Sequence, residues 1–373
     1  MRTGARRARK RDGTAKGSRG QLIARKEVLP RSLVPSAPGD ARVGPALCVP
    51  AVLAELGVEP RRAFRRARVA LKLFDHPDNR IALESFCRLL SVCAAMTDCE
   101  HFGLLVGERF KLTDLGPIGQ LMRNAATVAD ALRALVQELH LHDRGAVPVL
   151  LPIDPSSVLL GYSIYRHDMP STFELYDVTM AIAYRLLREV CGSSWTPQHV
   201  QFAHRRPMKL APYRRRLGND LRFDAEVSGV VFASSWLEHP IAGADRALHD
   251  LLDQAIRNAR ASGGMTFAEE VPGVLHQMVL SGTASATAVA RLFGIQERRL
   301  RKRLSREGTT LRRLVRQTRF ELAQQLLQNT GLPIGEIAAS LHYADANVFS
   351  RAFRSWARAS PRQWRIRHGS SVP

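Results

Sequence analysis

Residues 289–304 read VARLFGIQERRLRKRL, and a similar pattern returns at residues 337–353 as IAASLHYADANVFSRAF. Each copy predicts a short helix, a tight turn and a second helix with two apolar residues four positions apart. In such an arrangement the first helix braces the second against the protein core, which is the helix-turn-helix motif. Ser285 and Asp345 are suitable N-cap residues for one helix in each copy. The repeat therefore predicts two successive helix-turn-helix units.

The segment between the two copies predicts one long helix. Apolar residues recur on one side of residues 311–328, and these 18 residues would rise about 27 Å. Consecutive major grooves on one face of DNA lie about 34 Å apart. The length of the joining helix therefore suits two recognition helices placed in consecutive grooves.

Positive charge is concentrated at the two ends of the chain. The 373 residues contain 55 Lys and Arg against 34 Asp and Glu. Residues 1–42 carry a net charge of +9, residues 43–265 carry +2 and residues 266–373 carry +10. Six cations lie between positions 298 and 306, on the surface left free by Leu300 and Leu304. Because these cations repel one another unless a polyanion neutralises them, they predict a nucleic-acid partner.

Composition and periodicity divide the chain into three parts. Residues 1–42 are rich in Arg, Gly, Ser and Pro and lack an apolar period, which predicts a disordered basic tail. Residues 43–264 combine amphipathic helices with short β-prone runs, which predicts an α+β domain ending in a linker helix. Residues 265–367 read as helix throughout. The β-prone runs are residues 146–151, 158–165, 200–203, 221–223 and 229–232, with a helix around 177–190 between them.

The sequence argues against several protein classes. No stretch approaches the roughly 18–20 apolar residues of a membrane span, and residues 21–29 are too short and too charged for a signal-peptide core. Five cysteines without a CxxC pair predict reduced thiols in a cytoplasmic protein. No phosphate-binding loop is present, and we expect no cofactor and no metal. The run His140-Leu141-His142-Asp143 is more typical of packing or capping than of a metal site.

Residues 266–367 resemble the C-terminal DNA-binding domain of the AraC/XylS family of bacterial transcription regulators. The matching blocks are LPIGEIA at 332–338, FSRAF at 349–353 and SPRQWR at 360–365. The upstream part resembles the arabinose-binding-like sensor domain of one branch of that family. Its matching blocks are residues 75–81, 101–104, 115–116, 202–207 and 221–223, so the resemblance covers about residues 44–367.

The resemblance implies an α+β sensor domain followed by an all-α double helix-turn-helix domain that binds double-stranded promoter DNA. We also expect a homodimer, formed through residues 244–260 or the sensor. The resemblance further implies an activator that contacts RNA polymerase, although repression stays open. In the family, side chains near the start and middle of each recognition helix reach base edges. Arg and Lys can read guanine and Asn can read adenine. The corresponding residues here are Arg298, Arg301 and Lys302 in the first copy and Ala346, Asn347 and Arg351 in the second.

Two positions depart from the family pattern. Gln296 stands where a Ser commonly caps the first recognition helix, which weakens the cap by about 1 kcal/mol. His342 replaces a Gly at the end of the second scaffold helix, where a positive φ is expected and a side chain is strained. Both departures concern the rigidity of the turns, and neither removes a predicted base reader.

A small-molecule effector would need a pocket in the upstream domain. His204, Arg206 and Tyr213 are polar residues beside a β-prone run and are the candidates for lining it, although turn-forming and surface roles are also open. An enzymatic alternative is a DNA-repair methyltransferase with a similar DNA-binding domain. Such an enzyme needs an activated cysteine within a Pro-Cys-His-Arg motif, and none of the cysteines has that context. A nonspecific nucleic-acid binder driven by the Arg-rich ends is the other alternative.

Overall fold

The computed structural model describes residues 39–164, 172–262 and 266–368 of the chain. Residues 1–38 of the predicted tail and the predicted domain boundary at 264 lie outside the described residues. The helices are α1 (Val49–Glu55), α2 (Pro60–Ala67), α3 (Leu83–Thr97), α4 (Phe102–Gly107), α5 (Pro117–Arg123), α6 (Val128–Glu138), α7 (Phe173–Cys191), α8 (Ala211–Leu217), α9 (Arg246–Ser262), α10 (Phe267–Leu280), α11 (Ala286–Leu292), α12 (Glu297–Arg306), α13 (Leu311–Asn329), α14 (Ile334–Ser340), α15 (Ala346–Ala357) and α16 (Pro361–His368). The strands are β1 (Asp40–Arg42), β2 (Arg80–Ala82), β3 (Ala146–Asp154), β4 (Ser157–Ile164), β5 (His199–Gln201), β6 (Leu221–Arg222) and β7 (Ser228–Ala233).

The seven strands form two sheets, of which the smaller consists of β1 and β2. All five predicted β-prone runs are strands of the larger sheet. The larger sheet has the order β3-β4-β7-β5-β6, in which only β5 and β6 are parallel. The long helix between the runs is α7, as predicted. This architecture confirms the predicted α+β class for the N-terminal domain.

The folded part of the N-terminal domain begins earlier than the predicted end of the tail. Residues 40–42 form strand β1, which pairs antiparallel with β2 so that Ala41 lies opposite Ile81. Ala41 and Arg42 are both buried. The sequence pattern does not indicate this strand, because a three-residue strand has no measurable period of its own and depends on its partner.

The larger sheet is covered on both faces. Leu160 of β4 and Phe232 of β7 belong to a core shared with α6 and α7. Val149 and Leu159 belong to a cluster on the opposite face, against which Leu280 at the end of α10 packs. Side chains of a strand alternate between its two faces, so one face holds the helices of the N-terminal domain and the other meets the C-terminal domain.

The C-terminal domain contains two hydrophobic cores joined by α13. The first core includes Leu300 and Leu304 of α12, and the second includes Phe349 and Phe353 of α15. Helix α13 has 19 residues, which corresponds to about 28 Å, and supplies side chains to both cores. The predicted joining helix and the all-α double helix-turn-helix class are confirmed. No helix in the described ranges is both long and apolar enough to cross a membrane.

Hydrogen bonds join the two domains at the edge strand β3 and at the loop that follows β6. The side-chain amide of Gln277 in α10 donates to the Leu150 carbonyl at 2.9 Å and accepts from the Leu150 N–H at 3.5 Å. A carboxylate oxygen of Asp224 accepts a hydrogen bond from the Gly331 N–H at 2.6 Å. These bonds use backbone groups that an edge strand and a loop would otherwise present to water.

Candidate nucleic-acid interface

The first helix-turn-helix unit consists of α11 and α12. The Ser285 hydroxyl accepts a hydrogen bond from the Ala288 N–H at 3.2 Å, which confirms the predicted N-cap. Gly294 follows α11 with φ +61°, a conformation that glycine adopts without strain. Leu300 and Leu304 are fully buried and fix the face that α12 turns to the core. The opposite face of α12 is therefore free to meet a partner.

The second unit consists of α14 and α15 and repeats this construction with different side chains. The Asp345 carboxylate accepts hydrogen bonds from the N–H groups of Asn347 and Val348 at 2.7 and 2.8 Å. This confirms the second predicted cap. Phe349 and Phe353 are fully buried at the positions of the two leucines of the first unit. Helix α15 is thus fixed both at its start and along its inner face.

The turn of the second unit contains His342 where the first unit has Gly294. His342 has φ +56°, the left-handed conformation that the sequence analysis expected, and it strains a side chain by about 1 kcal/mol. Its imidazole Nε2 lies 3.2 Å from the Leu280 carbonyl oxygen, to which it donates. This bond, which the sequence pattern does not indicate, ties the second unit to the end of α10 and offsets part of the strain.

The predicted base readers lie on the outer faces of the two recognition helices. Each residue of a helix turns by about 100°, so Lys302 lies about 200° from Leu300, and Arg351 lies the same angle from Phe349. Both cations thus point away from the buried face of their helix. Ala346, at the start of α15, is half-buried. The five side chains that are exposed at the predicted positions are Arg298, Arg301, Lys302, Asn347 and Arg351.

Two cations of α12 have partners within the domain. The Arg301 guanidinium donates to the Glu297 carboxylate at 2.9 Å. The Thr287 hydroxyl also donates to that carboxylate, and these bonds hold the pKa of Glu297 below its usual value, the Thr287 bond most strongly. Arg303 lies over the Phe267 ring at 4.2 Å from its centre. All six cations of α12 are exposed, as predicted, and Arg303 additionally contacts α10 through this ring.

Most acidic side chains of the C-terminal domain are used in structural bonds. Glu269 closes a capping box at the start of α10, and Glu307 accepts from the Ala268 N–H at 2.6 Å. Asp345 caps α15, and Glu321 is buried. Because these carboxylates are occupied at helix ends and in the core, they leave the outer faces of α12 and α15 strongly positive.

Further cations flank the recognition helices on α13. Arg312 and Arg313 are exposed in its first turn. The Arg316 guanidinium donates to the Ser355 hydroxyl at 3.2 Å and lies 5.6 Å from the centre of the Trp356 ring. Arg316 is thus held beside α15, where a guanidinium can contact a phosphate next to the groove.

Arg354 is an exposed cation that the sequence analysis did not single out. It lies seven residues after Asn347 and three after Arg351, and residues at these spacings share one face of a helix. This helical spacing is the signal that could have found it. Arg354 extends the outer face of α15 by one turn.

The three predicted effector residues do not converge on one pocket. The Tyr213 hydroxyl donates to the Asp177 carboxylate at 2.6 Å, and His204 Nε2 lies 3.5 Å from the other oxygen of that carboxylate. The side chains of Tyr213, His204 and Asp177 are all buried, and burial raises the pKa of Asp177. Arg206 is exposed. His204 and Tyr213 are therefore members of a packed polar cluster that Arg206 does not join.

The cysteines lack the environment of an activated nucleophile. A nucleophilic cysteine reacts as the thiolate, which a lowered pKa favours. Burial instead raises the pKa of Cys48 to about 11 and those of Cys93 and Cys191 to about 12. Burial also raises the pKa of Cys87 and Cys99. Within the described residues, no group of three or more His, Cys, Asp or Glu side chains is arranged to hold a metal ion.

Comparisons with known proteins identify both domains. Residues 57–241 match the arabinose-binding domain found at the N-terminus of AraC transcription regulators, and residues 289–367 match a helix-turn-helix domain family. The second match begins within the first helix-turn-helix unit and ends within α16.

Several relatives align with this chain over most of their own length. The HTH-type transcriptional regulator VirS of Mycobacterium tuberculosis is 29% identical over 321 residues, which are 86% of this chain and 94% of VirS. The ornithine utilization regulator of Pseudomonas aeruginosa is 25% identical over 317 residues, 84% of this chain and 93% of that protein. The crystal structure of the transcriptional regulator CdpR from Pseudomonas aeruginosa aligns with 82% of this chain and 96% of its own, with a TM-score of 0.40 and 22% identity.

Proposed function

This chain belongs to the AraC family of DNA-binding transcription regulators, and from that premise we propose that it reads two consecutive major grooves of promoter DNA with α12 and α15. In this proposal Arg298, Arg301 and Lys302 read one groove, and Asn347 and Arg351 read the next. Arg301 must exchange its bond to Glu297 for a bond to a base when the protein binds.

One observation carries this proposal. Lys302 and Arg351 occupy equivalent positions, two residues after a buried apolar anchor, and both are exposed on the outer face of their helix. Asn347 and Arg298 are likewise equivalent and lie one turn earlier. Arg, Lys and Asn are the side chains that read guanine and adenine in the major groove. If these side chains were only exposed to water, nothing would require base-reading residue types at equivalent positions of the two helices.

A nonspecific binder is the alternative that needs an experimental test. Arg351→Lys keeps the charge but loses the two-point contact with guanine. We expect the full chain to keep its specific complex in the presence of excess bulk DNA at rising salt, and Arg351→Lys to lose most of that advantage. Affinity for bulk DNA should stay the same in both proteins. If bulk DNA competed for the wild-type protein as effectively as unlabelled DNA with the specific site, the protein would be a nonspecific binder.

The regulator is proposed to activate transcription in response to a small-molecule effector, through contact with RNA polymerase. Support comes from the combination of a separate N-terminal domain with a domain that carries the recognition helices. Transcription from a promoter with a bound site, measured with purified polymerase, tests the direction of regulation. An increase on addition of the protein supports activation, and a decrease supports repression.

Helix α9 is the proposed dimer contact. Its buried residue Ile256 faces the N-terminal domain, whereas Leu248 and Leu251 are 40% and 70% exposed. We expect Leu251→Glu to lower the dimer fraction in sedimentation experiments, because it places a charge in an apolar contact. Gln198→Glu adds the same charge at an exposed position outside α9, and should leave the dimer intact. Equal effects of the two changes would argue against this contact.

A further inference from the structure

A cavity of about 110 Å³ lies between the larger sheet and the helices of the N-terminal domain. It is separate from the polar cluster of His204 and Tyr213, which are not among its lining residues. Its walls are formed by helices α3, α6 and α7, by strands β1, β3 and β4, and by residues 45–46. Most of the wall is apolar, as shown by Phe86, Leu135, Leu139, Leu160, Leu175 and Ile182.

One corner of the cavity is polar. The Asp143 carboxylate accepts hydrogen bonds from the Tyr162 hydroxyl and from the Gly145 N–H, the latter at 2.8 Å. Burial raises the pKa of Asp143 to about 6. Asp143 is thus mainly ionised at pH 7 and already has donors on both of its oxygens.

His142 supplies a hydrogen-bond donor to the same corner. Its Nδ1 lies 3.3 Å from the Arg42 guanidinium, which can only donate. Burial and the nearby Arg42 and Arg80 charges hold the pKa of His142 well below its usual value, so the ring is neutral and its proton is on Nε2. The ring is only 6% exposed. In the part of the chain that the structure describes, we find no hydrogen-bond partner for this N–H.

These features define the chemistry of a ligand. Arg42, Arg80 and Arg144 lie among the carboxylates of Asp40, Asp78, Asp114 and Asp143. Charges of both signs thus surround this corner, and neither an anion nor a cation gains enough to offset its burial. A neutral imidazole N–H instead favours a carbonyl or hydroxyl oxygen. Apolar cavities of about 150 Å³ bind benzene, so this smaller cavity of about 110 Å³ holds at most a single small ring or a short chain.

The strand that walls the cavity also carries the contact with the C-terminal domain. Pro148 of β3 lines the cavity and also the cleft between the domains, and it pairs with Tyr162 in the sheet. Two residues further along β3, both backbone groups of Leu150 are bonded to Gln277. A ligand that displaces β3 therefore acts directly on the position of α10.

We propose that this cavity binds an uncharged, mainly apolar molecule with one hydrogen-bond acceptor, and that its occupancy is transmitted through β3 and Gln277 to the DNA-binding domain. The binding part stands by itself, whereas the transmission part rests on the proposed function as a regulator. Binding at this cavity replaces the His204 and Tyr213 cluster as the effector site.

Calorimetry with the full chain tests the binding part. Cyclohexanone should bind, whereas benzoate and cyclohexylamine, which have similar size and opposite charges, should bind at least about tenfold more weakly. Ala183→Leu fills the cavity from α7 and should abolish binding. Ala94→Leu makes the same change at a half-buried helix position outside the cavity and should not. Absence of cyclohexanone binding, or equal binding to Ala183→Leu, would overturn the proposal.

The donor on His142 is tested by two substitutions. His142→Phe removes the donor, so cyclohexanone should bind about three- to tenfold more weakly. His142→Gln keeps an acceptor for Arg42 and a donor for the ligand, and should restore much of the affinity. A melting curve of each variant verifies folding. Equal affinities for the two variants would show that His142 does not contact the ligand.

DNA affinity tests the transmission part. Saturating cyclohexanone should change the affinity of the full chain for a specific site by at least about fivefold. Gln277→Glu cannot donate to the Leu150 carbonyl, and should still bind cyclohexanone but lose this change. Specific DNA binding that is unaffected by bound cyclohexanone would overturn the transmission. Absence of specific DNA binding would instead contradict the proposed function, and the calorimetry would still decide the binding part.

Discussion

The two helix-turn-helix units share one backbone plan but distribute charge and rigidity differently. Helix α12 carries six cations, and no side chain caps its start. Helix α15 carries two cations, is capped by Asp345 and packs through two phenylalanines. The turn before α15 is further fixed by the bond from His342 to Leu280. We infer that the first unit contributes more of the electrostatic affinity and the second contributes a more rigid reading geometry.

The largest effects are expected from the equivalent cations of the two units. Lys302→Ala and Arg351→Ala should each weaken binding to a specific site by about 1–3 kcal/mol, because each removes a base contact. Fluorescence anisotropy over a salt series measures both. If α12 depends more on charge, the loss for Lys302→Ala should shrink more as salt rises. Identical salt dependence for the two variants would remove the proposed difference between the units.

The capping residues give the next largest effect and test rigidity. Asp345→Ala should destabilise the start of α15 by about 1 kcal/mol, because two backbone N–H groups lose their acceptor. Gln296→Ala should change α12 by only a few tenths of a kcal/mol, because Gln296 makes no cap bond. Amide hydrogen exchange of the two helices in the full chain measures both changes. Equal loss of protection in α12 and α15 would show that the caps do not distinguish the units.

The sequence predicted those parts of the interface that depend on local pattern. Buried Leu300 and Phe349, the caps Ser285 and Asp345, and the outward position of Arg351 all follow from spacing along one helix. What it missed depends on contacts between segments distant in the chain. The stacking of Arg303 on Phe267 and the bond from His342 to Leu280 need the packing of α10 to be known.

In the N-terminal domain, even more of the candidate site depends on contacts between segments that are distant in the chain. The five strands of its larger sheet followed from β-prone runs, but the cavity is formed by three helices and three strands brought together from distant positions. His142 and Asp143 were interpreted as packing residues, which is correct for their burial but leaves out the cavity that they line. Gln277 showed no signal at all, because a polar residue on a helix does not reveal an edge strand beside it.

A smaller effect is expected from the cations on the joining helix. Arg313→Ala should weaken binding to all DNA sequences alike and lower the salt slope by about 0.9, as for one lost phosphate contact. Titrations at several salt concentrations with a specific and a random duplex measure this. A loss confined to the specific duplex would mean that Arg313 reads bases and that α13 belongs to the recognition surface.

The smallest effect is expected at His342. His342→Gly removes about 1 kcal/mol of backbone strain but also the bond to Leu280, which is worth about 0.5–1.5 kcal/mol. The free energy of unfolding should therefore change little. His342→Asn tolerates the same backbone but is too short to reach Leu280, and should be less stable than His342→Gly. If His342→Gly were clearly more stable than the wild type, the bond would not contribute to the rigidity of the second unit.

Selection of binding sites from random DNA tests the central claim of two separate readers most directly. The wild-type chain should select two groups of base pairs whose centres lie about one helical turn, or 10 base pairs, apart. Lys302→Ala should relax selection at one or two positions of one group, and Arg351→Ala should relax one or two positions of the other. Relaxation of the same group by both variants, or a uniform loss of affinity with no position relaxed, would contradict the account.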